Sequence, residues 1–179
     1  ITVGQRLFVP SARAAQRGAG AGAGAGAAPA GARGVGRAPD SPPLPLERVM
    51  ALAWPLSPAL VDLSSPFGAR GEREHHGLDL RAPEGTPTLS LLDGVVTRAA
   101  FDEGGYGWYV VVDHGDGLES RYAHHRKNLA QEGQRVARGE RLGLVGSTGR
   151  SSGPHLHLEL RYRGAPLDPL IYLPALPAP

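Results

Sequence analysis

Cysteine is absent from all 179 residues, and this excludes disulfides, thiolate metal sites and cysteine nucleophiles together, while leaving the redox compartment open. Lysine occurs once, as Lys127, and aromatics make up only 6% of the chain. No apolar run approaches the roughly 18 residues that a membrane span requires. Basic residues number 19 against 17 acidic ones, with no basic run, so the charge gives no footprint for nucleic acid. The chain opens at Ile1 without a charged n-region or an apolar h-region, and so reads as a fragment from which any export signal is missing. Histidine is missing from the first 74 residues, although seven follow.

What is present divides by composition. Residues 1–10, "ITVGQRLFVP", form a short alternating, strand-like piece. Residues 11–46 are dominated by Ala, Gly, Pro and Arg around "GAGAGAGAAPAGARG" and have too little apolar surface to offset the entropy of ordering, so a flexible linker is expected. Residues 48–179 change character. "TLSLLDGVV", "GWYVVVD", "GLESRYAH", "RLGLVG" and "HLHLELRYR" are short runs rich in β-branched, leucine and aromatic residues, separated by "DEGGYG", "HGDG", "EGQ" and "GSTGRSSGP". Short strands with glycine-rich punctuation and no long helical period predict a compact all-β antiparallel domain, with "HGDG" as a hairpin turn.

The histidines cluster as "HHGLD", "YAHH" and "HLH". Strand side chains alternate faces, so Leu156, Leu158 and Leu160 share one face of "HLHLEL", and His155, His157 and Glu159 the other. In "EHHGLDL", the same parity puts His75 and Asp79 opposite Leu78 and Leu80, places His76 on the leucine side, and leaves Gly77 as a gap between the two. Imidazole with carboxylate is the donor set of zinc. One imidazole from "HLH" would make three protein ligands, the number of a catalytic rather than a closed structural site. The remaining histidines would then be placed to move protons or stabilise an oxyanion.

The ordered set H-x-x-x-D, Y-A-H and H-x-H, within "FGARGEREHHGLDLRAPEGTP", "GGYGWYVVVDHGDGLESRYAH" and "EGQRVARGERLGLVGSTGRSSGPHLHLELR", resembles the lysostaphin/LytM-type zinc metallopeptidases from about Trp54 to Leu173. The resemblance implies a small antiparallel β-domain with a long groove and one Zn2+, which hydrolyses peptide bonds in the stem peptides or cross-bridges of bacterial peptidoglycan. It makes His75, Asp79 and His157 the metal ligands and His124 and His155 the non-ligand catalytic histidines. His114 falls where strand-end hydrogen bonding is expected, His125 receives no role, and Trp108 stands where a small polar residue is commoner, as a groove-lining side chain. Residues 1–10 resemble the end of a LysM module, which would bind the glycan strands. Peptidoglycan is the partner implied, and the bacterial cell envelope the location.

A rival reading comes from related proteins that have lost their ligands and activate separate amidases; the ending "LRYRGAPLDPLIYLP" resembles that subgroup, but the motif residues are all retained here. "EGQRVARGERLGLVG" also resembles biotinyl or lipoyl carrier domains, which need an attachment lysine; Lys127 precedes the stretch and none follows.

If residues 11–46 are a tether, limited trypsin digestion will cut after Arg13, Arg17, Arg33 or Arg37 and release a stable C-terminal domain. Resistance at all four bonds would refute that reading.

Overall fold

The computed structural model describes residues 45–70 and 73–176. The LysM-like resemblance of residues 1–10, and the linker reading up to residue 44, lie outside the described residues. Glycine and proline clusters break the chain into short extended segments, as the composition predicts. In order these are β1 (Asp62–Ser65), β2 (Gly68–Arg70), β3 (Arg73–His75), β4 (Leu78–Arg81), β5 (Pro87–Leu89) and β6 (Gly94–Asp102). There follow β7 (Gly107–Asp113), β8 (Leu118–Asn128), β9 (Arg135–Val136), β10 (Arg141–Val145), β11 (His155–Tyr162) and β12 (Ala165–Leu167). Among the described residues helix is confined to α1 (Leu46–Ala51), α2 (Pro169–Tyr172) and a 3-10 turn at Pro58–Leu60.

Among the described residues every strand pair is antiparallel, and the main sheet runs in the order β1-β4-β11-β8-β7-β6-β9. Strand β10 joins β8 to β5, and β12 pairs with β11. Strands β2 and β3 form a separate two-stranded ribbon. "HGDG" does connect β7 to β8 as a hairpin, with His114 N donating to Leu118 O at 2.9 Å.

The register explains how one strand serves both core and site. Leu158 stands opposite Leu78 on β4 and Tyr122 on β8, and Tyr122 opposite Val110 on β7. These four side chains are all 0% exposed and cross the middle of the core as one row. Full burial of such residues contributes about 1.5–3 kcal/mol each before entropy is counted. One residue back along β11, His157 stands between Asp79 and Ala123, on the opposite face. The leucine row fixes the direction of the histidine row, because a slip of one residue would exchange them.

Two departures from simple alternation matter. The stretch "EHHGLDL" is not one strand: it breaks at His76–Gly77, where the β3 ribbon gives way to β4. His76 therefore does not join the leucine face as parity predicts; it is exposed, with Nε2 3.3 Å from the Glu74 carboxylate. In β8 the register against β7 slips between Trp108 and Val110, and His124 takes the left-handed conformation with φ of 62°. This bulge inserts one residue, so His124 does not fall on the Tyr122 side where strict alternation would put it. His125 goes into the interior instead. It is 0% exposed, with its ring nitrogens 3.0 Å from Thr88 Oγ1 and 2.9 Å from Asn128 Oδ1.

Burial of His125 disfavours its charged form and pushes its pKa down to about 4, with the Asn128 hydrogen bond opposing. The unfolded chain binds a proton at this residue near pH 6.5, whereas the folded one resists until about pH 4. Its contribution to stability is whole above pH 6.5 and is lost as pH falls from there towards 4. Urea midpoints measured across that window should decline, and His125→Gln should flatten the slope relative to wild type. An identical slope in the variant would show that His125 titrates normally.

Candidate metal centre and active site

Three elements converge on one point. His75 ends the β3 ribbon, Asp79 lies in β4, and His157 lies directly across from Asp79 on β11. His75 Nε2 is 3.1 Å from Asp79 Oδ1 and 3.1 Å from His157 Nδ1, and the third side, His157 Nδ1 to Asp79 Oδ1, is 2.8 Å. All three residues are buried, at 7%, 9% and 8% exposed. Gly77 permits this approach. A Cβ there would lie 2.6 Å from both His157 Cε1 and the Leu158 carbonyl oxygen, so the chain crosses the imidazole with backbone alone.

Hydrogen bonding on the far side of each ring decides what faces the centre. His75 Nδ1 is 2.7 Å from the Pro66 carbonyl oxygen, which can only accept, so the ring proton sits on Nδ1 and Nε2 presents a lone pair. Arg70 Nη2, 2.8 Å from the same Nδ1, therefore makes its bond to Asp79 Oδ2 at 2.7 Å, with a further contact to Ser65 Oγ. His157 Nε2 donates to Glu159 Oε1 at 3.3 Å, which turns Nδ1 inward. Three acceptors thus meet with no donor among them. A tetrahedral ion bound at about 2.0–2.1 Å spaces its ligand atoms roughly 3.3 Å apart, close to the triangle seen here, and the nitrogen and oxygen donors suit zinc. The residues fit such a group.

The electrostatics agree. Burial raises the Asp79 pKa, but the polar contacts with His157 and His75 and the hydrogen bond from Arg70 outweigh it and hold the carboxyl well below the usual range. For His157, burial works against the cation, yet the partners Asp79 and Glu159 leave its pKa raised. An apo centre therefore has the proton affinity that a metal ion competes for.

Two more imidazoles flank the triangle. His155 Nε2 lies 3.8 Å from Asp79 Oδ1, while its Nδ1 donates to the Gly153 carbonyl at 2.8 Å. The bulged His124 donates from Nδ1 to the Thr148 carbonyl at 2.8 Å, and its ring centre is 4.7 Å from that of His155. Burial pushes the His124 pKa down to about 4, with the Thr148 carbonyl opposing. Both residues keep Nε2 as the free nitrogen. They share a cavity of about 270 Å³ with His75, Asp79 and His157.

All five residues singled out from the sequence come together. Parity had placed Glu159 on this face without a role. It is 1% exposed and also accepts from Tyr106 Oη at 2.7 Å and Arg161 Nη1 at 3.0 Å. Burial opposes its ionisation, yet hydrogen bonds from His157 and Tyr106 and the Arg121 charge bring its pKa down to about 2. Arg70 and Tyr106 carried no local signal, since the ribbon and the β6–β7 turn must fold before either reaches the centre. His114 behaves as expected of a structural residue, buried with its ring nitrogens on Asp93 O and Ser120 Oγ. Trp108 does not line the histidine cavity. It stacks edgewise on Phe101 at 5.2 Å and borders a separate cavity with Arg126, Lys127 and Asn128.

The family model of peptidase family M23 matches residues 73–169, more than half of the chain. The chain belongs to peptidase family M23. The match spans β3 to the start of α2 and so includes His75, Asp79, His124, His155 and His157. Among the relatives of this M23 domain, DD-carboxypeptidase/endopeptidase Mpg of Neisseria meningitidis serogroup B is 46% identical over 123 residues, covering 65% of this chain and 28% of that protein. Murein hydrolase activator NlpD of Salmonella dublin is 36% identical over 126 residues, covering 70% and 32%. The chain thus spans less than a third of either relative. A zinc-containing peptidase from Vibrio cholerae superposes with a TM-score of 0.64 at 33% identity, covering 71% of this chain and 41% of that one.

Glu159 holds the outer nitrogen of His157, and loss of such a partner typically costs about 10–100-fold in metal affinity. Glu159→Gln should weaken zinc binding by that order in chelator competition. Unchanged affinity would show that the tautomer of His157 is fixed by other groups.

Proposed function

We propose that this domain is a zinc metallopeptidase that hydrolyses peptide bonds in the stem peptides or cross-bridges of bacterial peptidoglycan, at the cell envelope. The observation that carries the reading is the set of inward-facing lone pairs on His75, Asp79 and His157, flanked by two further imidazoles whose far nitrogens are tied to carbonyls. It is supported by family membership, by a relative named for DD-carboxypeptidase and endopeptidase activity, and by a structural neighbour described as a zinc-containing peptidase.

His75, Asp79 and His157 would hold the ion. When bound, zinc supplies a Lewis acid for the scissile carbonyl and makes water more acidic. The chain supplies proton transfer. A neutral imidazole whose Nδ1–H is engaged can only accept at Nε2, so His124 or His155 takes a proton from the attacking water. Once cationic, the same nitrogen becomes a donor and can stabilise the developing oxyanion or return the proton to the departing amine. The Thr148 and Gly153 carbonyls prevent either ring from flipping its donor inward.

The Salmonella relative is named a murein hydrolase activator, which keeps an amidase partner as the second reading. The intact five-residue centre favours the enzyme, since activation of another protein needs no such constellation.

Elemental analysis alongside turnover on the same samples separates the roles. His157→Ala should lose zinc and activity together. His155→Ala should keep close to one zinc per chain and lose roughly 10²-fold or more in turnover, as removal of an acid–base group does. A folded His155→Ala chain without zinc would reverse the two assignments. If zinc-loaded wild type releases nothing from chemically defined peptidoglycans yet stimulates an amidase, the activator reading is correct.

A further inference from the structure

The histidine cavity is not closed. It shares Arg70, Asp79, Ser152 and His155 with a larger cleft of about 720 Å³, which runs between the β1–β4 edge and the loop before β11. Two guanidinium groups line this cleft, Arg70 and Arg81, with the hydroxyls of Ser64, Ser65 and Ser152. The acidic lining residues are Asp79, already committed to the centre, and Asp62.

The geometry points to a carboxylate-binding subsite in this cleft, read by Arg81 with Arg70 behind it, which selects peptides carrying a free carboxylate close to the scissile amide. The inference rests on the peptidase reading and deepens it. Arg81 follows Asp79 by two on β4, so it shares that face, and it stands opposite His155 in the register. It is thus placed roughly 6–7 Å along the strand from Asp79, about two residues of extended peptide. Its recorded partner is Asp62, at 3.1 Å with both side chains more than half exposed. Such an exposed surface pair is weakly held and is readily exchanged for a ligand. Among the described residues Arg70 makes its hydrogen bonds through Nη2 alone, and its planar fork lines the cleft. Carboxylate is the group that this fork matches in a paired fashion. Peptidoglycan stem peptides carry such carboxylates on side chains and at the chain end.

The test compares a cross-linked stem-peptide dimer with free carboxylates against the same dimer with every carboxylate converted to carboxamide. Steady-state kcat/KM is measured on the zinc-loaded wild type and on Arg81→Gln. Equilibrium binding is measured by calorimetry on His124→Ala and on His124→Ala/Arg81→Gln, which are slow to turn over. Wild type should prefer the acid about tenfold in kcat/KM and His124→Ala about tenfold in affinity, and Arg81→Gln should erase most of either ratio, with Arg81→Glu inverting it. Equal treatment of acid and amide, by wild type in kcat/KM or by His124→Ala in affinity, would overturn the proposal, as would a ratio that survives Arg81→Gln. Absence of turnover on both dimers would count against the peptidase reading alone, and the binding ratio would still decide the subsite.

Discussion

An imidazole has one proton to place when neutral, and everything in this centre depends on where it goes. Four rings meet around Asp79, and each gives its outer nitrogen to an oxygen: Pro66 O for His75, Glu159 for His157, Thr148 O for His124 and Gly153 O for His155. Three of those four oxygens belong to the backbone, so the protonation pattern is written into the chain path. A side-chain acceptor can rotate away; a carbonyl held in a turn cannot. The lone pairs therefore face inward before any ligand arrives, which is electrostatic preorganisation in its simplest form.

The backbone reaches these positions by breaking its own regularity at two places. Gly77 brings the chain over the His157 ring where any Cβ would collide. The bulge at His124 adds a residue to β8, holds a non-glycine residue at positive φ, and ties its N–H to Tyr106 O at 2.8 Å. Left-handed conformations in non-glycine residues cost of order 1–2 kcal/mol. That strain lies at the centre itself, while the unbroken leucine and valine rows behind it supply the burial that offsets it.

Much of this was legible in the sequence because the decisive period is two. Leucines at 156, 158 and 160 announce a core-facing row, and histidines interleaved with them must face the other way. The same parity chose His75 and Asp79 as partners and set Gly77 between them. Parity was blind where the strand stops being a strand. It sent His76 to the core, although a break at His76–Gly77 leaves it in solvent. "YAHH" gave no local sign of which imidazole would turn inward; the resemblance to a family singled out His124, and the bulge shows why. Arg70 and Tyr106 act through long-range closure of a ribbon and a turn, and no local pattern encodes that.

The β2–β3 ribbon is attached in an unusual manner. None of its described side chains belongs to the apolar core, and its side-chain links to the main sheet run through Arg70 and His75 to Ser65, Asp79 and His157. Its docking is therefore polar and ionic rather than hydrophobic. A ribbon held in this way would share one equilibrium with an ion bound at the triangle it helps to build, so occupancy of that triangle would also hold the ribbon in place. Metal at this point would be a clasp as much as a reagent, and a chain deprived of it would show its first loosening at the ribbon, with the leucine core still intact.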